Sequence, residues 1–394
     1  MTHLSHTLKS CATALMMVAS VTSPVNGCSN AFINAGGYHV EARTLDFPIN
    51  IAFKEGVGFI NDTNTTDVIL DHKKIPAKQL ASWKNKYGYV GREAFSKIID
   101  GMNTEGLTVS ILYLPGTKFP VYTSNDKKPV LGIYDIGVFL LSQAKTVAEA
   151  VTLLRAHQLV QSAVAIPDTE GVFAKDIPIH YVVRDVTGES AVIEFIDGEV
   201  KIHENAGNVM TNAPVFEWQL ENAAFYDSLK ADNKGPNDEF RKTFHKYDEI
   251  YKSSSHKGEA NLIGMPGDYT PPSRFARAQV LLNNFPSPTS REVALYQAET
   301  LNNSLSVPAL KGSPPTIWSS IKDMDNKVYY TKNVVMYQGD KSLYAMDITS
   351  GYVGTDLKEI NFNAHSPQYA TTTTQVTPAK NVKEIITPKE MAGF

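Results

Sequence analysis

The chain has 394 residues, 42% hydrophobic and 10% aromatic, and a formal net charge of −4. This is enough apolar material for one large core or two ordinary ones, and the slightly acidic balance offers no basic footprint for nucleic acid. No apolar run after residue 28 is long enough for a stable membrane span.

Residues 1–27 have the three parts of a secretory signal. Lys9 supplies a positive start, 12–21 is a short apolar run, and Val25 and Gly27 stand at the −3 and −1 positions of a cut before Cys28. The run is well short of the roughly 20 residues a membrane helix needs. The localisation expected is therefore periplasmic or secreted, after signal removal. Loss of Lys9, the only charged side chain in the signal, takes the charge to about −5.

Cleavage there removes Cys11 and leaves Cys28 as the lone thiol, at a new N-terminus. An unpaired cysteine in an oxidising compartment is a reactive thiol or an attachment point, and a buried inert cysteine is the plain third reading. As a nucleophile, Cys28 would carry its own base, because an α-amine, which ordinarily titrates at about 7.7–8.0, can take the thiol proton. As a lipid anchor it would have both groups blocked, giving a non-catalytic binding lipoprotein anchored through Cys28. The residues alone leave these three readings open.

The mature chain opens with strand-like runs at 29–33 and 38–45 around Asn34-Ala35-Gly36-Gly37, which predicts a β-hairpin. Its return strand brings Arg43 and Asp46 back beside Cys28. There a guanidinium would favour thiolate, and a carboxylate would orient the α-amine. A polar loop is expected over 61–72, and strands over 87–95 and 107–114. Helices follow at 135–143 and 147–157, the second with a capping box from Thr146 and Glu149. Strands are predicted at 179–185, 191–196 and 199–203, and extended chain from 207 into Asn212-Ala213-Pro214. A helix over 216–231 precedes a polar connector near 233–237. Further helices over 273–285 and 290–302 lead to strands at 317–321, 327–332 and 343–347. This order is α+β without regular βαβ alternation. From 363 to 394 the composition turns to Thr, Pro and Lys, read as a mobile tail after a single domain over 28–362.

Other chemistries find no support. The ten histidines are scattered, and there is no HExxH, CxxC, GxSxG, Walker loop or GxGxxG. No cofactor or metal is expected. His39, His180 and His203 read as structural or solvent-facing.

Four blocks in one order carry a resemblance. They are Cys28 through Arg43-Thr44-Leu45-Asp46; Asp100-Gly101-Met102-Asn103-Thr104-Glu105-Gly106-Leu107; Val209-Met210-Thr211-Asn212-Ala213-Pro214; and Met265-Pro266-Gly267-Asp268-Tyr269-Thr270-Pro271-Pro272-Ser273-Arg274-Phe275. Together they resemble the choloylglycine hydrolase family of bile salt hydrolases and penicillin V acylases, which are N-terminal nucleophile hydrolases. The resemblance implies a four-layer αββα sandwich of two antiparallel sheets, often assembled as a homotetramer. It implies hydrolysis of a linear amide, such as a conjugated bile salt, penicillin V or an acyl-homoserine lactone, through a thioester on Cys28. Arg43 would sit beside the thiol, Asp46 would orient the amine, Asn212 would donate to the oxyanion from its side chain, and Arg274 would complete the polar network. A position often held by asparagine in Gram-positive bile salt hydrolases falls on Tyr113. Its backbone N–H would serve as the second oxyanion donor, and its aromatic ring is more like penicillin V acylases. Phe47, Phe59, Tyr113 and Tyr122 are the candidates for lining an apolar acyl pocket.

Overall fold

The computed structural model describes residues 27–47, 54–66, 75–162, 164–168, 171–175, 177–231, 262, 264–308, 310, 314–337, 344–346 and 351–363. The signal (1–26), the connector near 233–237 and the tail beyond 363 lie outside the described residues, as does part of the expected loop over 61–72.

The predicted hairpin forms from β1 (Cys28–Ala35) and β2 (Tyr38–Asp46), in register from Ala35↔Tyr38 to Cys28↔Leu45. Gly36 and Gly37 both take positive φ, 64° and 79°, the conformation a tight two-residue turn between twisted strands requires. Further strands follow as β3 (Lys54–Gly58), β4 (Tyr89–Ala94), β5 (Lys97–Asn103) and β6 (Thr108–Tyr113). After two helices come β7 (Ile179–Arg184), β8 (Ser190–Ile196), β9 (Glu199–Glu204) and β10 (Val209–Met210). The closing strands are β11 (Thr316–Asp323), β12 (Val328–Asn333) and β13 (Val353–Asp356). Short two-stranded hairpins accompany them.

These strands make two antiparallel sheets. The first has the order β10-β1-β2-β11-β12-β13 and the second β9-β8-β7-β6-β5-β4-β3. Helices α1 (Ile136–Gln143) and α2 (Val147–Arg155) share one apolar cluster with the second sheet, containing Val109, Ile111, Tyr181 and Ile193. Helices α3 (Phe216–Ala224), α4 (Pro271–Asn284) and α5 (Arg291–Leu305) share another with the first, containing Ile33, Val40 and Ala42. The molecule is thus an α+β four-layer sandwich.

Strand periodicity explains what fills the middle. Side chains alternate along a strand, so the positions between those apolar ones turn toward the opposite sheet. On β2 they are Glu41 and Arg43, on β5 Asp100, on β6 Thr108 and Ser110, on β7 Arg184, on β11 Ser320 and Lys322. All are at most 1% exposed. Much of the inner seam is therefore ionic and hydrogen-bonded, with an apolar cluster of Phe32, Val90, Met102 and Tyr329 beside it, and the two largest apolar clusters include the outer faces and their helices.

Several helix ends differ from the sequence reading, among them the end of α2 at Arg155 rather than 157 and of α5 at Leu305 rather than 302. The helix expected over 216–231 ends at Ala224 and continues as turns, with Tyr226 N–H donating to Ala223 O and Leu229 N–H to Tyr226 O. Helix α4 begins at Pro271 rather than 273, because proline is tolerated at the first helical position. At α2 Thr146 does accept from Glu149 N–H at 3.2 Å, but the Glu149 carboxylate takes Lys145 N–H at 3.0 Å, one residue outside a standard capping box.

Asn103, 0% exposed, ties the second sheet to α1: its side-chain amide donates to Leu141 O and Ala144 O at 2.9 and 2.7 Å and accepts from Glu105 and Leu107 N–H, each at 3.0 Å. Asn103→Ala orphans four backbone groups. Leaving such buried groups unpaired is expected to cost roughly 2–4 kcal/mol, measurable as a lowered urea midpoint with the slope unchanged.

Candidate active site

Cys28 begins β1, between β2 and β10, and is 2% exposed. Its polar and strand neighbours come from three places in the chain. The hairpin register sets Leu45 opposite it and lets Asp46 N–H donate to Gly27 O at 2.7 Å. Beyond β10, the Asn212 amide oxygen accepts the Cys28 N–H. From α4, Arg274 donates through Nη1 to Cys28 O at 2.8 Å and to Ser29 Oγ, and through Nη2 to Asn212 Oδ1 at 3.0 Å. Arginine can only donate, so these bonds fix which end of the Asn212 amide faces Cys28. Its nitrogen donates to Tyr113 O at 2.6 Å.

Arg43 is 0% exposed, and its guanidinium spans the place where β5 and β6 separate. The β4–β5 register steps from Arg92↔Asp100 to Glu93↔Ile98, which leaves Ile99 on a bulge. Arg43 donates through Nη1 to Ile99 O at 3.1 Å and through Nη2 to Ile111 O. Nη1 also lies 3.2 Å from Asp100 Oδ1, and the guanidinium stacks 4.9 Å from the Trp318 ring centre.

The electrostatics are opposed. Burial pushes the Cys28 thiol above its usual value, Arg43 pulls it down, Asp46 raises it again, and Arg274 lowers it slightly. Burial also lifts Asp46 to about 7, against Arg274 and a hydrogen bond from Thr316 Oγ1 to Oδ1. Asp46 Oδ2 has no hydrogen-bond donor among the described residues, Arg274 Nη1 being 3.8 Å away.

Tyr113 lies on β6 opposite Ile179, and the next residue, Leu114, donates to Pro178 O at 3.0 Å. Antiparallel ladders alternate, so the Tyr113 N–H points to the other edge. Pairing with β5 there has already ended at Asp100↔Ser110. Tyr113 N–H thus shares an edge with the Tyr113 carbonyl that holds Asn212.

An apolar cavity opens on the thiol, with about 590 Å³ of empty space including its mouth, within the range of small-molecule sites. Phe47 and Tyr113 line it with Phe95, Ile111, Tyr134 and Ile177. Phe59 and Tyr122 do not. Phe59 packs in a separate cluster with Val90, Met102 and Phe362, and Tyr122 Oη donates to Gln79 Oε1 at 2.8 Å. Phe95 escaped the sequence reading because it occupies a turn without glycine, Phe95 and Ser96 taking φ of 52° and 58°. Lys97, the one cation of the lining among the described residues, is paired with Asp135 at 2.7 Å.

A family model for linear amide C–N hydrolases of the choloylglycine hydrolase family matches residues 28–347. The chain belongs to the choloylglycine hydrolase family. It is 26% identical over 346 residues to the bile salt hydrolase/transferase of Clostridium perfringens, covering 83% of this chain and 94% of that protein. It is 29% identical over 234 residues to the penicillin V acylase of Pectobacterium atrosepticum, covering 56% and 59%. Among solved structures, penicillin V acylase from Agrobacterium tumefaciens superposes with a TM-score of 0.62 at 20% identity, over 86% of this chain and 89% of that one. The conjugated bile acid hydrolase of Clostridium perfringens gives 0.59 at 17%, over 86% and 95%. These structures share the choloylglycine hydrolase fold, and this chain is an amidohydrolase of linear amides. The lipid-anchor reading gains no support, since Cys28 lies buried in a strand.

The raised Asp46 carboxyl has a consequence for stability in the chain that retains Gly27. With the native value above the unfolded one, the folded state holds the extra proton between about pH 4 and 7, so this contribution falls as pH rises through that window. In urea unfolding at pH 4, 5.5 and 7, the stability of Asp46→Asn relative to wild type is expected to rise steadily with pH.

Proposed function

We propose that removal of residues 1–27 during export makes Cys28 the N-terminal nucleophile of a periplasmic or secreted amidohydrolase. The observation that carries this reading is the setting of the Cys28 nitrogen. It lies against Asn212 Oδ1, with the buried Asp46 Oδ2 lacking a donor among the described residues. A freed amine has donors for both oxygens, and a carboxylate beside it offsets the cost of a buried ammonium. Phe59 and Tyr122 drop out of the proposed acyl pocket, while Phe47 and Tyr113 stay in it.

Hydrolysis then runs in two steps. Cys28 Sγ attacks the amide carbon and its proton passes to the α-amine. The oxyanion forms against Tyr113 N–H and the Asn212 amide, whose second hydrogen remains when the first is held by Tyr113 O. The amine returns the proton to the leaving nitrogen, giving a thioester and a free amine. Water attacks the thioester with the α-amine as base, releasing the acid and restoring the thiol. Arg43 favours the thiolate, and Arg274 fixes the Cys28 carbonyl and Asn212.

The apolar lining, with Lys97 neutralised by Asp135, suits an uncharged aryl or alicyclic acyl group, leaving the polar amine part toward solvent. Penicillin V and glycocholate are the two probes that divide this class. The purified mature enzyme is expected to show an intact mass beginning at unmodified Cys28 and to cleave at least one of them. Cys28→Ser should fold and lose nearly all turnover, and Asn212→Ala should lower kcat roughly 10²–10³-fold. A lipid-sized mass excess with neither amide cleaved, or full turnover by Cys28→Ser, would overturn the reading.

A further inference from the structure

Behind Arg43 the seam between the sheets holds an ion cluster to which the hydrolytic mechanism assigns no task. Asp100 Oδ1 meets Arg43 Nη1 at 3.2 Å, accepts from Ser110 Oγ at 2.6 Å and is held by Lys322 Nζ. Asp100 Oδ2 accepts from Ser320 Oγ at 2.8 Å and Tyr329 Oη at 2.7 Å. Lys322 also donates to Glu41 Oε1, and Glu41 Oε2 accepts from Thr108 Oγ1 at 2.7 Å with Arg184 Nε at 3.5 Å. Glu41, Arg43, Asp100 and Lys322 are each 0% exposed.

We propose that the Lys322–Glu41 ion pair, acting through Asp100, positions the Arg43 guanidinium at the Cys28 thiol, making Glu41, Asp100 and Lys322 positioning residues of the hydrolase. The inference rests on the reading of Cys28 as nucleophile. Stability alone does not call for such a cluster, because well-packed apolar side chains replace buried ion pairs at little or no loss. An apolar seam could not keep Asp100 ionised and turned toward Arg43. Burial works to raise the Asp100 carboxyl, yet Lys322 and Arg43 outweigh it and hold it at about 2. Four hydrogen-bond donors and the Arg43 ion pair on its two oxygens hold the carboxylate in this orientation. Lys322 shares Oδ1 with Arg43, so Asp100 compensates only part of the guanidinium charge, and the remainder acts on the thiol. That thiol is faced by Arg43, Asp46 and Arg274, none of which the test alters.

The test compares wild type with Glu41→Gln/Lys322→Met, which removes both charges together, and with Tyr329→Phe, which removes one hydrogen bond to Asp100 at constant charge. In the purified mature enzyme, the rate of Cys28 alkylation by iodoacetamide is followed from pH 5 to 10, beside kcat and KM for penicillin V and glycocholate. The double variant is expected to fold, to react about tenfold more slowly at pH 7 with its alkylation midpoint about one unit higher, and to lose kcat with KM held within about twofold. Tyr329→Phe should shift the same way by a smaller factor. A folded double variant with the wild-type alkylation profile overturns the inference. If the double variant fails to fold, an unchanged profile in Tyr329→Phe does so. If alkylating wild-type Cys28 leaves amide turnover intact, the nucleophile reading itself fails, a result distinct from either.

Discussion

A buried guanidinium beside a buried thiol is the arrangement on which this structure turns. Arg43 is wholly inaccessible, and a cation in that position is tolerated only if its charge and most of its hydrogens are answered within the protein; Nε alone of its nitrogens has no acceptor among the described residues. A bulge at Ile99 and the parting of β5 from β6 supply two carbonyls, Asp100 supplies the countercharge, and Trp318 supplies a π-face. These groups come from both sheets, so the two must meet in one register for the charge to be held. The outer helical layers provide the apolar burial that offsets the cost of such a polar seam.

The same register assembles the groups of the proposed active site. Because β1 runs between β2 and β10, residues near 28, 46 and 212 converge at one strand end, and α4 lays Arg274 across them. The result is a thiol under opposed influences, burial raising its pKa and Arg43 lowering it. In the proposed mechanism, its conversion to a nucleophile depends on how firmly Arg43 is held and on the proton balance at its own nitrogen. In that reading the apolar cavity selects by shape, since among the described residues of its lining the lysine is already paired.

Much of this was legible in the chain. The Gly36-Gly37 turn fixed the hairpin register, so the return of Arg43 and Asp46 toward Cys28 followed from counting residues. The strands at 107–114, 179–185 and 191–196 were visible as strand-like runs bounded by turn residues such as Gly106, Pro115-Gly116 and Thr187-Gly188. Helix ends were less so. A run of helix-compatible residues from 216 did not signal the change to turns after Ala224, and Pro271 extended α4 by a residue type whose helical use depends on being first. Phe59 and Tyr122 show a further limit, since an aromatic in an extended segment gives no sign of which cluster it joins.

What the sequence determined by itself was the local geometry and the family: turn residues, two-residue alternation, and four ordered motifs beginning at a lone cysteine behind a signal-like segment. What only the tertiary structure decided was the meaning of the polar half of each alternation. Thr108 and Ser110, Glu41, Ser320 and Lys322 carry no sign in the chain of what they meet, yet all are buried with Arg43 in one polar cluster. Periodicity tells which residues share a face, but whether that face meets water or a complementary set of charges depends on a second sheet more than 50 residues away in sequence.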